Sequence, residues 1–404
     1  MNFICPQLRT LNMIFDISRP TWLPLAVAGF FVVSFLGSPP ELSAEQPGEA
    51  SPTIAADLQT ILAIEAEGKN FAIAQSAARR LSDLPSSEIF TVLEAMRNAD
   101  PVSMNWLRGI AGNIVTRSGV PNQDALQAYI ADTEHSPPGR ATAMILLKAA
   151  APDAFEQQLD ASLNDPSLLI REMAVERQLN QVEALIDDQP EQAKAALRET
   201  LAAARHPVQL ASVLKKLNDL GDEITTSEAF AMIETWQVIG PFDNVSGVGF
   251  DRIYPPEANF TSTGRVDLDA SYEGKNSDVK WQPIQATGKE GKVDLAAAYD
   301  KEKGAVAYAY TEFESDSDRE AQIRLGCICA NQTWLNGKLV MSNEVYHSGS
   351  MIDQYNTAVQ LKKGTNRILL KICQNEQTES WAQDWVFQCR VTDPTGKGLR
   401  PDGE

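Results

Sequence analysis

The sequence is poor in the residues that most site chemistry needs. Only three histidines and five cysteines occur in 404 residues, which leaves little from which to build a His-centred catalytic or metal site. The nucleophile elbow (G-x-S-x-G), zinc-protease helix (H-E-x-x-H), phosphate loop, dinucleotide fingerprint and haem attachment motif are all missing. Positive charge is scarce too. Thirty-five Lys and Arg stand against 54 Asp and Glu, a formal net charge of −19. That opposes nucleic-acid binding, where cations must neutralise phosphates, and adhesion to anionic lipid. Aromatics reach only 7%, yet hydrophobic residues make up 43%, which excludes wholesale disorder and suffices for two or three cores.

Long apolar runs are lacking, with one exception. Leu23–Leu36 (LPLAVAGFFVVSFL) is free of charge and short for a membrane span, but of the length of a signal-peptide core. Arg9 and Arg19 precede it, and the first positive charge after it is Lys69. The positive-inside rule therefore sends everything beyond the run out of the cytoplasm. Residues 1–44 read as a signal peptide or as an uncleaved N-terminal anchor. On either reading the rest is exported, to the periplasm, the cell surface or the medium, and an anchor would be the sole membrane contact. Residues 45–53 read as a linker, opening with EQPGEAS.

From 54 to 230 the chain is rich in Ala, Leu, Glu and Gln and shows little strand-like alternation. Ile54, Leu58, Ile61 and Leu62 fit one helical face. Breaks at Leu84–Pro85, Asp100–Pro101, Pro121–Asn122, Ser136–Pro137, Asp165–Pro166 and His206–Pro207 supply capping side chains with proline near the first turn. Asp165–Met173 lies over His206–Leu214 at an offset of 41 residues, pairing Leu169 with Leu210. That offset is within the period of HEAT or armadillo repeats. An α-helical repeat region is expected over 54–230, offering a face to a protein partner. His135 and His206 stand beside prolines in turns, where histidines cap or are solvated.

Beyond Glu234 the texture becomes strand-like, with turn signals every 8–12 residues. Ala305–Phe313 alternates tyrosines with alanines. Asn336–Gly337 between apolar arms predicts a type I′ hairpin, Leu361–Asn366 a turn, and Arg367–Ile372 a buried strand. An antiparallel β-sandwich or jelly roll over 234–393 is expected, with a flexible tail at 394–404. The fold class is thus multidomain α plus β.

At these residues the chain resembles a family. Trp236–Asn244 (WQVIGPFDN), Gly249–Phe250–Asp251 and Tyr254–Pro255–Pro256–Glu257, then Trp334–Leu335–Asn336–Gly337–Lys338, resemble the β-sandwich module of large exported bacterial proteins of planctomycete type. Such modules are similar to galactose-binding-like jelly rolls, including sugar-binding domains attached to glycoside hydrolases. The resemblance implies carbohydrate as ligand. Where that family usually carries Ser-Asp-Asp-Gly, this chain has Cys327-Ile328-Cys329-Ala330, which removes the aspartates that would contact ligand or cation. No cofactor or metal is indicated, and calcium has no residue set to support it.

Trp236, Trp281 and Trp334 sit among apolar neighbours and read as core. Trp381 lies in the polar stretch Gln374–Asp384 and could stack on a pyranose, with Glu379, Gln383 and Asp384 taking hydroxyls. Its other reading is a loop anchor. Tyr346, His347 and Asp353 are further candidates from a neighbouring loop. Cys327, Cys329, Cys373 and Cys389 form an even set suggestive of disulfides in an exported protein. If 366–373 and 384–391 form a hairpin, Cys373 and Cys389 lie rungs apart, and bridges run from the 327/329 pair to one or both. A zinc site or free buried thiols are the alternatives. Three functions follow: a non-catalytic exported binder of protein and carbohydrate, an interaction scaffold without sugar binding, and a carboxylate-dependent glycoside hydrolase or its accessory subunit.

Overall fold

The computed structural model describes residues 52–65 and 68–401. The expected signal peptide or anchor lies outside the described residues, as does the linker up to Ser51; Pro52 and Thr53 already belong to a helix. Helices fill the described chain as far as Phe230, and antiparallel strands dominate after it. The chain forms two compact units, Met1–Ala161 and Ser162–Glu404, divided inside the helical stretch rather than at its junction with the strands.

The first unit holds α1 (Pro52–Leu62), α2 (Phe71–Ser82), α3 (Ile89–Ala95), α4 (Pro101–Ser118), α5 (Gln123–Ala131), α6 (Pro137–Ala150) and α7 (Pro152–Asp160). The capping residues seen in the sequence start several of them. Asp100 accepts from the Ser103 amide at 2.7 Å, Asn122 from Asp124 at 2.8 Å and Ser136 from Gly139 at 3.2 Å. Each satisfies an amide that the helix itself leaves unpaired. Leu107, Ile110, Ala111 and Ile114 then bury one face of α4, at the spacing a 3.6-residue period demands.

The second unit begins with α8 (Leu168–Glu183), α9 (Pro190–Ala203), α10 (Pro207–Asp219) and α11 (Thr226–Phe230). Here the expected repeat register is corrected. Leu169 is 40% exposed while Leu210 is buried, so the two are not equivalent. The buried set Ile170, Arg171, Ala174 and Val175 matches Gln209, Leu210, Val213 and Leu214 instead, an offset of 39. Asp165–Pro166 stays in the preceding turn, whereas Pro207 is the first residue of its helix. Aligning the prolines therefore misplaces the helices by two residues.

The strands are β1 (Thr235–Asp243), β2 (Ser271–Glu273), β3 (Asp278–Lys280), β4 (Gln282–Gln285), β5 (Val293–Asp294), β6 (Ala305–Ser315), β7 (Arg319–Cys327), β8 (Ala330–Leu335), β9 (Lys338–Asn343), β10 (Tyr355–Leu361), β11 (Gly364–Gln374), β12 (Val386–Thr392) and β13 (Gly398–Leu399). Two short helices interrupt them, α12 (Pro255–Thr263) and α13 (Leu295–Ala298). One large sheet runs β4-β1-β6-β11-β8-β9 and a second β10-β7-β12-β13, with β5 also on β12, while β2 and β3 form a separate two-stranded sheet. All pairings are antiparallel. Residues 366–373 and 384–391 are therefore not a hairpin. They lie on β11 and β12 in different sheets. The stretch 394–401 is not a free tail either: β13 pairs with β12, and Arg400 donates to the Glu228 carbonyl at 2.8 Å.

Strand alternation builds the core. Ile368, Leu370 and Ile372 of β11 enter one cluster together with Leu325 and Cys327 of β7 and Phe387 and Cys389 of β12. Leu369 and Cys373 point the other way, into a second cluster with Tyr308, Tyr310, Phe242 and Phe260. Tyr308 and Tyr310 share that outer face while Ala305, Ala307 and Ala309 sit between the sheets, as the period of two requires. Asn336 and Gly337 both take positive φ, 51° and 84°, at the β8–β9 turn, the pair of values a type I′ turn needs.

Candidate functional site

Three loops meet at one end of the β domain, and buried polar side chains join them. Asn244, just after β1, is fully buried. Its Nδ2 donates to the Gln374 carbonyl at 3.0 Å and to the Tyr346 hydroxyl at 3.2 Å, while its Oδ1 accepts from the Gly249 amide at 2.9 Å. The Ser246 amide donates to Glu376 at 2.7 Å. These contacts explain much of the Gly240–Glu257 motif as anchorage. Tyr254 donates its hydroxyl to the Asp243 carbonyl. Glu257 accepts from Lys371 Nζ at 3.0 Å and from the Tyr308 hydroxyl at 2.7 Å. Lys371, buried on β11, also donates to the carbonyls of Phe250 and Arg252, each at 2.8 Å.

Trp381 stands on this base. It lies in a single 3-10 turn, Ser380–Ala382, and is 57% exposed. Lys303 Nζ donates to the Ala382 carbonyl at 2.6 Å and Gln374 Nε2 to the Asp384 carbonyl at 3.2 Å, fixing the turn from beneath. Burial holds the Lys303 ammonium below its ordinary pKa. The His347 ring meets Trp381 edge to face, with centroids 5.1 Å apart and planes at 85°. His347 Nε2 lies 2.9 Å from Asn375 Oδ1. An aromatic pair of this geometry contributes beyond its buried area, so the indole is held in place while much of its surface stays open.

The sequence-derived candidates separate. Trp381 and His347 come together, with Glu379 exposed at the start of the turn and the exposed Asp384 just beyond it. Gln383 donates to the carbonyls of Thr378 and Glu379 at 2.7 and 2.9 Å, so its amide nitrogen braces the loop. Tyr346 is half-buried, with its hydroxyl on Asn244. Asp353 does not join the site. Its side chain is buried between Arg390 and Arg324, with Arg390 Nε at 2.7 Å from one oxygen and Arg324 at 2.7 Å from the other. Burial alone would push this carboxyl up, but the two guanidiniums outweigh it and hold it below the usual carboxylate range. Arg390 also donates to the Phe230 carbonyl at 3.2 Å and lies 5.1 Å from that ring. Through Arg390, Asp353 thus ties the end of α11 to the sheets of the second unit.

The cysteines are a further correction. All four candidates are buried free thiols. Cys327 stands opposite Phe387 and Cys389 opposite Leu325, so neighbouring strands offset them by a pair. Cys373 faces the outer cluster, with the six-stranded sheet between it and Cys389. Burial pushes the thiols of Cys327, Cys373 and Cys389 up to about 12, and Cys329 well above its ordinary value. Among the described residues no group of three His, Cys, Asp or Glu side chains is placed to hold a metal ion. His206 caps α10, accepting from Val208 at 3.3 Å, and His135 stacks on Tyr129 at 4.2 Å.

No family model and no curated protein matches the chain. Among solved structures it is similar to an anti-sigma factor domain-containing protein (9% identity, TM-score 0.24, covering 42% of this chain and 46% of that one). It is also similar to a β-glucosidase from Kluyveromyces marxianus (12%, 0.24, 41% and 17%) and to an alkylpurine DNA glycosylase from Pseudomonas fluorescens (10%, 0.22, 86% and 95%). The chain thus spans under half the length of the first two. Similarity this slight carries no argument about fold or activity.

Proposed function

We propose that the chain is an exported, non-catalytic binding protein. Its β domain, read as a galactose-binding-like jelly roll, takes carbohydrate at the Trp381 end. Its helices, read as a HEAT-like stack, engage a protein partner. The observation that carries the first part is the indole of Trp381, 57% exposed and braced by His347. A flat ring held open beside carboxylates and amides suits a pyranose, whose apolar face stacks while its hydroxyls hydrogen-bond. For the helices, the support is the recurrence of buried positions between α8 and α10 and exposed Phe71, Ile73 and Val102 on α2 and α4. Apolar side chains left at a surface favour protein contact.

A glycan array probed with the full chain, with and without calcium, tests the carbohydrate reading. The chain should be kept whole beyond the leader, because a cut at 234 would sever Arg390 from Phe230. Binding should appear, and Trp381→Ala should weaken it by about 1–3 kcal/mol, the cost of losing an interface anchor. An empty array, or an unchanged isotherm for the variant, returns Trp381 to the role of loop anchor and leaves the scaffold reading.

A further inference from the structure

A second recess of the β domain lies at the opposite end of β1 from the Trp381 loops. Strands β1, β6 and β11 are neighbours there, and their register sets Gln237 beside Tyr310 and Glu312 beside Arg367. The Tyr310 hydroxyl donates to Glu312 Oε1 at 2.6 Å, and Arg367 Nε donates to the same oxygen at 3.0 Å. Tyr310 itself is only 5% exposed. The segment after α12 walls this row with Arg265, Val266 and Leu268, enclosing a groove of about 380 Å³. Leu268, one of the lining residues, is 43% exposed. Thr263 clamps the Arg265 backbone, accepting from its amide at 3.1 Å and donating to its carbonyl at 3.0 Å. Among the described residues the Arg265 guanidinium has no ion-pair partner.

Two guanidiniums against one carboxylate give the groove an excess positive charge on a chain whose net charge is −19. Such a local reversal selects anions, and the guanidinium fork matches a carboxylate. We propose that this groove binds a carboxylate-bearing sugar, a uronate residue of an acidic polysaccharide. Arg265 and the outer nitrogens of Arg367 take the carboxylate, Gln237 and Thr235 meet ring hydroxyls, and Leu268 covers an apolar ring face. The inference rests on the carbohydrate reading of the β domain, and adds to it a second site and the charge of the ligand. The groove is lined by Thr235–Gln237 at one end of β1 and the Trp381 loops begin after Asp243 at the other, which at ~3.3 Å per residue puts about 20 Å of strand between them. The two sites can therefore be tested separately.

The test is calorimetric titration of the full chain with oligogalacturonate and with neutral oligogalactose. Oligogalacturonate should bind, more weakly in 0.5 M salt than at low salt. Arg265→Gln should reduce its affinity by at least about fivefold, the loss of one charge-assisted contact, without altering the melting profile. Trp381→Ala should leave oligogalacturonate binding unchanged. No binding, equal affinity for the charged and neutral oligomers, an unchanged Arg265→Gln isotherm, or loss of uronate binding in Trp381→Ala would each overturn the groove assignment. Neutral-sugar binding that is lost in Trp381→Ala would meanwhile sustain the loop site, so the two readings can fail independently.

Discussion

Lys371 and Glu257 meet 3.0 Å apart in the β domain, the lysine side chain without exposure and the glutamate with 9%. Both charges are almost wholly shielded from water, so each depends on the other and on Tyr308, Phe250 and Arg252 for its hydrogen bonds. The pair fastens α12 to the outer face of the six-stranded sheet, and the lysine's two carbonyl contacts fasten the segment before it. Breaking such a pair costs more than removing it whole, because the survivor is left charged and buried. Lys371→Met should destabilise the second unit by about 3–5 kcal/mol, and adding Glu257→Gln should recover much of that. Denaturant titration of the single and double variants measures both. A double variant as unstable as the single would show that the contacts to the two carbonyls, not the charge pair, hold the segment.

Asp353 predicts how the second unit responds to acid. Its pKa is depressed in the folded state by Arg390 and Arg324. A depressed carboxylate stabilises the fold above its unfolded pKa, near ~3.9, and the contribution is lost as pH falls through the lower folded value. Asp353→Asn should therefore lower stability at neutral pH and flatten the decline below about pH 4. Melting curves from pH 7 to pH 2.5 for parent and variant would decide; parallel acid limbs would remove Asp353 as a source of the decline.

The four cysteines of the β domain should be silent toward thiol reagents. All are buried, and three have their thiols raised to about 12, so thiolate is scarce at pH 8. A Cys5→Ser chain should react with a chromogenic disulfide reagent only after denaturation, and then at four sites. Fewer than four thiols released without reductant would reveal a bridge and restore the disulfide expectation.

Gly249 packs too closely for any side chain. A Cβ there would come within 2.5 Å of the Asp243 carbonyl and of Val306, and 2.7 Å from Asn244 Oδ1. Gly249→Ala must move backbone or break the Asn244 contact, so a loss of about 1–3 kcal/mol is expected. Thermal unfolding of the variant reads it out. A melt unchanged from the parent would mean that the loop yields freely.

Much of the fold was legible because local signals are strong where the chain turns. Asp100, Asn122 and Ser136 act as caps whatever lies beyond them, and Asn336–Gly337 specifies its own turn. Alternation along β6 likewise assigned its faces before any partner was known, whereas β11 read only as a buried strand. Trp381 was visible as the indole without apolar neighbours. What misled was the use of sequence proximity as a guide to pairing. Residues 366–373 and 384–391 are adjacent strands along the chain yet belong to different sheets, and that reassignment undid the cysteine geometry argued from a hairpin. Prolines were a poor ruler for the repeat, since Pro166 lies in a turn and Pro207 inside a helix.

The amino-acid sequence alone determined where helices give way to strands, which strand faces are apolar and which aromatic ring stands apart. Those follow from backbone preferences and periodicity within a few residues. Tertiary structure alone decided that Asp353 serves two arginines and that Lys371 is buried against Glu257. It also decided that Arg265 and Arg367 share a groove. Each joins positions tens to more than a hundred residues apart, where a charge has many conceivable partners and only the packed chain selects one.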